Sequence, residues 1–269
     1  MIKTWRFTKS KTEEIHLADE SSLDSITRQL PNGYYSTFRT FDDCSRVIGL
    51  SAHLRRLPHA DASLLRRNLN QLLEPYRPGE ARVRIMETKR GQFNISIEPL
   101  KLLPREVYDK GVRVETTSLE RHDPRTKSTT FIANSTEERK HLAKEGIFEA
   151  LLVKNRRILE GMTSNFFYVM EPPDTPHFVG TARRDILLGV TRTMVIRAAR
   201  SRKLEVHYSP LKLDQLSEVK EAFITSSSRG IVPVIQIDQI KVGQGSPGWI
   251  TKLLMQTYQD AVHKNSELI

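Results

Sequence analysis

The stretch from Arg125 to Asn165 restricts the possible folds of this chain more than any other. It opens with Lys127, just behind the loop signal His122-Asp123-Pro124. Ser135, with Glu138 three positions later, has the form of a capping box, so a polar helix is expected to start there and to end at Gly146. Two apolar runs follow, 149–154 and 157–170, which read as strands joined at Lys154-Asn155-Arg156. The second run carries Glu160, and Gly161 and Thr163-Ser164-Asn165 come directly after it. A lysine lodged in an interior has a lowered pKa and becomes a nucleophile toward carbonyls. Taken alone, Lys127 reads as an ordinary solvated loop lysine. Its order and company have to change that reading.

The rest of the chain mixes strands and helices, which predicts an α+β (mixed α/β) fold. Residues 1–32 carry no clear pattern. Pro31-Asn32-Gly33 launches an aromatic, β-branched run, Tyr34–Phe41, which Asp42-Asp43 turns into Arg46–Leu50 as a hairpin. Ser51 is expected to cap a short helix, Ala52–Leu57, and a second helix spans about Ala62 to Tyr76. Strands are expected at 81–86, 93–97 and 112–117. Apolar periodicity stops between Ser118 and Pro124, which places a domain boundary there and divides the chain into 1–120 and 121–269. Beyond Pro172–Pro176, a loop, the pattern gives a helix from about Thr191 to Arg202. Strands near 204–208, 221–226 and 231–237 follow. The closing helix, Pro247 to about Lys264, has an Ile250, Leu253, Leu254, Tyr258 stripe that suits core packing.

Composition removes several function classes. At 269 residues and 38% apolar content the chain can bury a sizeable core. No apolar run approaches a membrane span, and the first twenty residues lack the apolar centre of a secretory signal. The single cysteine, Cys44, excludes an intramolecular disulfide and a cysteine metal cluster, and the cytoplasm is the expected compartment. A net charge of +10 raises the question of nucleic acid. The basic residues are scattered and no nucleic-acid motif accompanies them, so a nucleic-acid partner is not expected. Such a charge also draws anionic substrates toward a cleft.

A phosphate group needs backbone N–H groups at a helix start, small hydroxyl side chains and a cation. Gly189-Val190-Thr191 stands just before the predicted helix. Thr225-Ser226-Ser227-Ser228 ends a strand ahead of Arg229-Gly230, and Arg56 lies on the short helix after the hairpin. Each alone has an ordinary structural explanation. Together the motifs HLRRL (53–57), RTKST (125–129), LEGMTSNFF (159–167), LLGVTR (187–192) and TSSSRGIVPV (225–234) stand in a shared order. In this the chain resembles the class IV (fold-type IV) pyridoxal-phosphate (PLP) enzymes. These include branched-chain and D-amino-acid aminotransferases and 4-amino-4-deoxychorismate lyase.

The resemblance implies a two-domain fold like that of D-amino-acid aminotransferase. A small N-terminal α/β domain precedes a larger C-terminal domain built on a barrel-like sheet. It implies PLP as cofactor, a homodimer, and an amino acid and a 2-oxo acid as substrates. Lys127 matches the lysine that binds PLP and shuttles a proton. Glu160 matches the carboxylate on the pyridine nitrogen, where a charged partner keeps the ring an electron sink. Arg56, the Val190 and Thr191 amides and Ser227 match phosphate ligands. Tyr35, Arg39 and Ser228 fall where the substrate is expected, while Asn165 lies in the strand beside the ring with its role open.

Departures blur the substrate rather than the cofactor. Thr130 stands where asparagine is frequent and Ile132 where branched-chain enzymes have tyrosine. Phe131 stands where lyases often have arginine. Tyr35-Ser36-Thr37 replaces the usual aminotransferase pattern, and the short hairpin after Met86 lacks an Arg-x-His trap. An aminotransferase is therefore the first expectation and a pyruvate-releasing lyase the second. A non-catalytic basic binding protein on the same scaffold comes last, because both Lys127 and Glu160 are retained.

Overall fold

Period-two alternation of apolar residues builds two separate sheets in the computed structural model, which describes residues 1–7, 11–173 and 175–269. The first hundred residues form β1 (Lys3–Phe7), β2 (Thr12–Ile15), α1 (Leu23–Gln29), β3 (Gly33–Phe41), β4 (Arg46–Ile48), α2 (Leu50–Leu54), α3 (Ala62–Leu73), β5 (Ala81–Thr88) and β6 (Phe93–Pro99). Next come α4 (Arg105–Lys110), β7 (Val112–Thr117), α5 (Thr130–Asn134), α6 (Thr136–Glu145), β8 (Glu149–Lys154), β9 (Arg157–Gly161), β10 (Asn165–Met170) and β11 (Phe178–Gly180). The last third gives α7 (Val190–Ser201), β12 (Glu205–His207), β13 (Leu211–Lys212), β14 (Glu221–Ser226), β15 (Gly230–Ile237), β16 (Ile240–Lys241), α8 (Trp249–Asn265) and β17 (Ser266–Leu268).

These elements group into two compact units. One contains Met1–Lys101, Thr126–Asn134 and Asn265–Ile269, the other Leu102–Arg125 and Ser135–Lys264. This grouping differs from the single cut at 120/121. Residues 126–134 and the last five side with the first unit because their backbone is hydrogen-bonded into its sheet.

In the first unit the strand order is β17-β4-β3-β5-β6-β1-β2. One face of this sheet presents Phe38, Val83, Ile85, Ile95, Ile97 and Trp5 to Leu54, Leu65, Leu69 and Leu73 of α2 and α3. Each such fully buried aliphatic side chain contributes roughly 1.5–3 kcal/mol. Asp61 caps α3, its carboxylate accepting from Leu64 N at 2.9 Å. The helix α2 begins one residue before Ser51, and its N-cap is Gly49 at φ 63°, a left-handed backbone that glycine adopts without strain. The cap is therefore not the serine hydroxyl.

The second unit is built on a sheet with the path β12-β11-β10-β14-β15-β7-β8-β9-β13. A further pairing of β9 with β10, through Glu160 and Asn165, closes β10-β14-β15-β7-β8-β9 into a ring of six strands. This is the barrel-like sheet. Cross-strand neighbours Phe166, Ile224 and Val232, with Val112, Val114 and Leu151, line one face as a continuous apolar cluster. Glu160, Asn165 and Thr225 are register neighbours of opposite parity.

The run 157–170 is two strands, not one. Gly161 N donates to Ser164 O at 2.9 Å, and this turn ends β9 and starts β10. The apolar pattern hides the break because Met162 is buried as if in a strand. Ser135 is the N-cap of α6, but its side chain makes no capping bond. It accepts instead from Arg139 Nε at 3.1 Å. Gly146 ends the helix in the left-handed conformation as expected. In the Pro172–Pro176 loop, Asp174 lies outside the described residues.

Candidate active site

In the first unit the site begins with an unfilled strand edge. Along β3, strand β4 pairs at the far end alone, at Thr40 and Phe41, so β4 leaves a hydrogen-bonding side open at the start of β3. Lys127–Thr129 fills it. Tyr35 N donates to Lys127 O at 2.9 Å, Thr129 N donates to Gly33 O at 3.0 Å, and Gly33 N donates to Thr129 Oγ1 at 3.0 Å. The loop lysine is thereby fixed as a strand residue would be. Its Nζ lies 4.7 Å from the centre of the Tyr35 ring. Arg84, buried and bonded to Thr37, Asp24 and Thr27, lies 4.8 Å from the same ring.

Arg56 belongs to this group. Burial pushes its guanidinium down from the ordinary arginine range, and Tyr35 pushes back. His53, one turn earlier and fully buried, is held well below its ordinary value of 6.5 by burial, then by the charges of Arg56 and Lys127. Ser36 Oγ lies 2.8 Å from His53 Nδ1. Lys127, Tyr35 and Arg56 thus come together. Arg39 is four residues further along β3, roughly 13 Å at the strand rise. There its Nε donates to Thr40 O and its guanidinium stacks on Phe41 at 4.6 Å.

The second unit gathers its candidates around Asn165. Glu160 is 2% exposed. Its Oε1 accepts from Arg121 Nε at 3.0 Å, and its Oε2 accepts from Leu187 N at 3.0 Å and Asn165 Nδ2 at 3.2 Å. These donors compensate the burial of its charge. Asn165 also donates to Leu187 O at 2.7 Å, which ties β10 to the segment entering α7. Gly189, the N-cap of α7, has room for no side chain, since a Cβ there would run into Asn165 Oδ1. Gly189 has no side chain with which to cap α7, so its first-turn N–H groups, including those of Val190 and Thr191, are left without a capping side chain from that position.

On its other side Asn165 pairs with Thr225, which leads to Ser226, Ser227 and Ser228. Thr225 Oγ1 is buried with no partner among the described residues. The serine turn is held from below by Glu149, 4% exposed. Glu149 Oε1 accepts from Thr163 N, Thr163 Oγ1 and Ser164 Oγ, and its Oε2 accepts from Arg229 at 2.8 Å. Arg229 Nε in turn donates to Ser226 Oγ at 3.0 Å.

Glu160, Val190, Thr191, Ser227 and Ser228 therefore form one neighbourhood. Arg121 and Glu149 were missed in the sequence. Arg121 lies in the stretch that reads as a domain linker, and Glu149 reads as the first residue of an ordinary strand. No local signal marks either, because both act through partners some 15 to 80 positions away.

The family described as amino-transferase class IV matches residues 35–237. The chain belongs to the class IV aminotransferases. A provisionally named branched-chain-amino-acid aminotransferase of Methanocaldococcus jannaschii is 28% identical over 95% of this chain and 93% of its own. The branched-chain-amino-acid aminotransferase of Escherichia coli K12 is 31% identical over 58% of this chain and 52% of its own. An aminotransferase from Brucella abortus, crystallised with PLP, shares the fold at a TM-score of 0.75 and 21% identity, covering 97% of this chain and 99% of that one.

This class IV aminotransferase is a PLP-dependent enzyme that moves an amino group between an amino acid and a 2-oxo acid. Its residues fit the cofactor. A buried carboxylate suits a protonated ring nitrogen, and the uncapped start of α7 beside a Cβ-free position suits a phosphate. No group of three or more metal-binding side chains occurs among the described residues, and none of their helices is long and apolar enough to cross a membrane.

Proposed function

We propose that Lys127 is the residue that binds PLP covalently and moves the substrate α-proton through its Nζ. In this reading Glu160 pairs with the ring nitrogen. Arg56, Ser227 and the amides of Val190 and Thr191 hold the phosphate. Tyr35 and the Ser228 amide contact the substrate, whereas Arg39, held on Thr40 O and the Phe41 ring further along β3, has no part in this reading. Bound PLP supplies an electron sink for the pair left at the substrate Cα. The chain does the rest. Asn165 and Arg121 orient the Glu160 carboxylate, and the β3 edge fixes the Lys127 backbone, so that its side chain alone has to move. The observation that carries the reading is Glu160, buried, donor-bound and one hydrogen bond from the segment that enters the uncapped helix α7.

The amino donor is proposed to be an apolar amino acid of the branched-chain type, on the names of the relatives that align with it. A homodimer in the cytoplasm completes the proposal. The test is spectral. The purified protein is expected to be yellow and to change colour reversibly as leucine and then 2-oxoglutarate are added. Lys127→Ala is expected to lose the visible band and to slow turnover at least about a thousandfold. A Lys127→Ala protein that keeps both would remove this residue from the mechanism.

A further inference from the structure

A second concentration of charge lies in the same unit as Glu160. A hollow of about 580 Å³ is lined by Arg125, Arg183, Leu188, Arg192, Arg200 and Tyr208. Three guanidinium carbons surround the Tyr208 ring, Arg183 at 5.3 Å from its centre, Arg192 at 5.8 Å and Arg200 at 6.0 Å. Arg200 also donates to the Tyr208 hydroxyl at 3.1 Å, and Arg125 donates to Arg183 O at 2.9 Å. None of these four arginines makes an ion pair with a carboxylate among the described residues. Arg192 is 5% exposed, and its Nε is buried with no acceptor among them. Burial and the nearby charges of Arg125 and Arg183 all disfavour its charged form, against Tyr208 and Glu160.

A second hollow of about 720 Å³ shares Arg125, Arg183 and Tyr208 with the first. It adds Lys154, Arg157 and Arg184, with Asp185 the one acid among its described lining residues and Glu120 paired to Lys154 at 3.8 Å. An aromatic ring attracts cations only weakly, so Tyr208 does not balance this many like charges. Water screens the exposed Arg125, Arg183, Arg184 and Arg200, and an anion with several charges would pair with them directly. Guanidinium forks bind phosphate oxygens two at a time, and the two adjoining hollows exceed the volume of a single phosphate.

We propose that these hollows form an oligophosphate-binding site, which takes the free polyanion or the phosphate chain of a nucleotide. Arg192 shares the first turn of α7 with Val190 and Thr191, but the site needs none of the roles proposed for Lys127, Glu160 and those two amides, and it stands if those assignments fail. It also gives the chain's net charge of +10 a definite place to act.

The experiment is isothermal titration of the PLP-loaded enzyme with tripolyphosphate, ATP, inorganic monophosphate and a DNA duplex, at low and at raised salt. One tripolyphosphate per chain is expected to bind, more weakly at raised salt. The Arg183→Glu, Arg200→Glu double variant is expected to bind it at least about tenfold more weakly, with amino transfer and far-UV circular dichroism unchanged. Equal affinity for ATP and tripolyphosphate assigns the site to the phosphate chain, and tighter ATP assigns it to a nucleotide. Arg200→Gln and Arg157→Gln, each milder, carry the same test if the double variant misfolds, with a several-fold loss expected for each. The proposal is overturned if tripolyphosphate does not bind, if it binds the variants as tightly as wild type, or if monophosphate binds equally well. Binding of the duplex alone would also overturn it, in favour of a nucleic-acid surface.

Discussion

At the scale of single residues, the group around Lys127 shows how burial and charge act together. His53 is enclosed beside two cations, so the folded protein disfavours its imidazolium. The unfolded chain takes up that proton below about 6.5 and the folded chain does not, so acid favours unfolding. The contribution of neutral His53 is complete above 6.5 and is lost as the pH falls below it. His53→Asn can keep the bond to Ser36 without titrating. The fall in Tm between pH 7.5 and 5.5 is expected to be shallower in this variant, by on the order of 2–4 °C per pH unit at most. Calorimetry on both proteins measures it, and parallel curves would mean that His53 is protonated in the fold. Residues of this kind are only half legible in a sequence. Lys127, Glu160 and Arg56 stand out through the motifs around them. Arg121 and Glu149 do not, because a buried carboxylate finds its partner through closure of the ring, not through a local pattern.

Among the elements, those with plain period-two or helical patterning were legible. Strands β7 and β14 fall at the residues that the alternation predicts. Short elements were not. Strand β17 is three residues behind a long helix, and α1 lies in the stretch with no pattern, although Ser22 caps it by accepting from Ser25 N at 3.0 Å. The break between β9 and β10 was hidden because a buried methionine in a turn looks like one in a strand. That break matters, since it turns the chain back so that Asn165 meets Glu160. The joint between β10 and α7 then rests on Gly189. Gly189→Ala is expected to push the Asn165 amide away and to destabilise the protein by about 1–3 kcal/mol. The same variant is expected to bind PLP more weakly. A titration of the apo form with PLP and a denaturant melt separate the two effects, and wild-type values in both would mean that the joint yields without cost.

For the molecule as a whole, the end of the chain is part of the first unit. Strand β17 pairs with β4, Arg46 Nε donates to Ser266 Oγ at 2.7 Å, Arg66 pairs with Glu267 at 2.6 Å, and Ile269 N donates to Ser45 O at 3.0 Å. Deleting residues 265–269 is expected to uncover the β4 edge, lower Tm by several degrees and promote aggregation. Light scattering during a thermal ramp checks this, and a truncated protein that melts like wild type would show that β17 is dispensable. The sequence did not reveal this return, because a strand's partner 220 positions away leaves no local trace. It bears on how such an enzyme could be rebuilt. The chain passes from one unit to the other at 101/102, 125/126, 134/135 and 264/265. A chimaera that takes a whole unit from a relative therefore needs four matched junctions. Recombination at one point between residues 102 and 125 gives offspring whose lysine loop and C-terminal strand come from a different parent than the sheet they must complete, and a point between 135 and 264 does the same to the C-terminal strand alone.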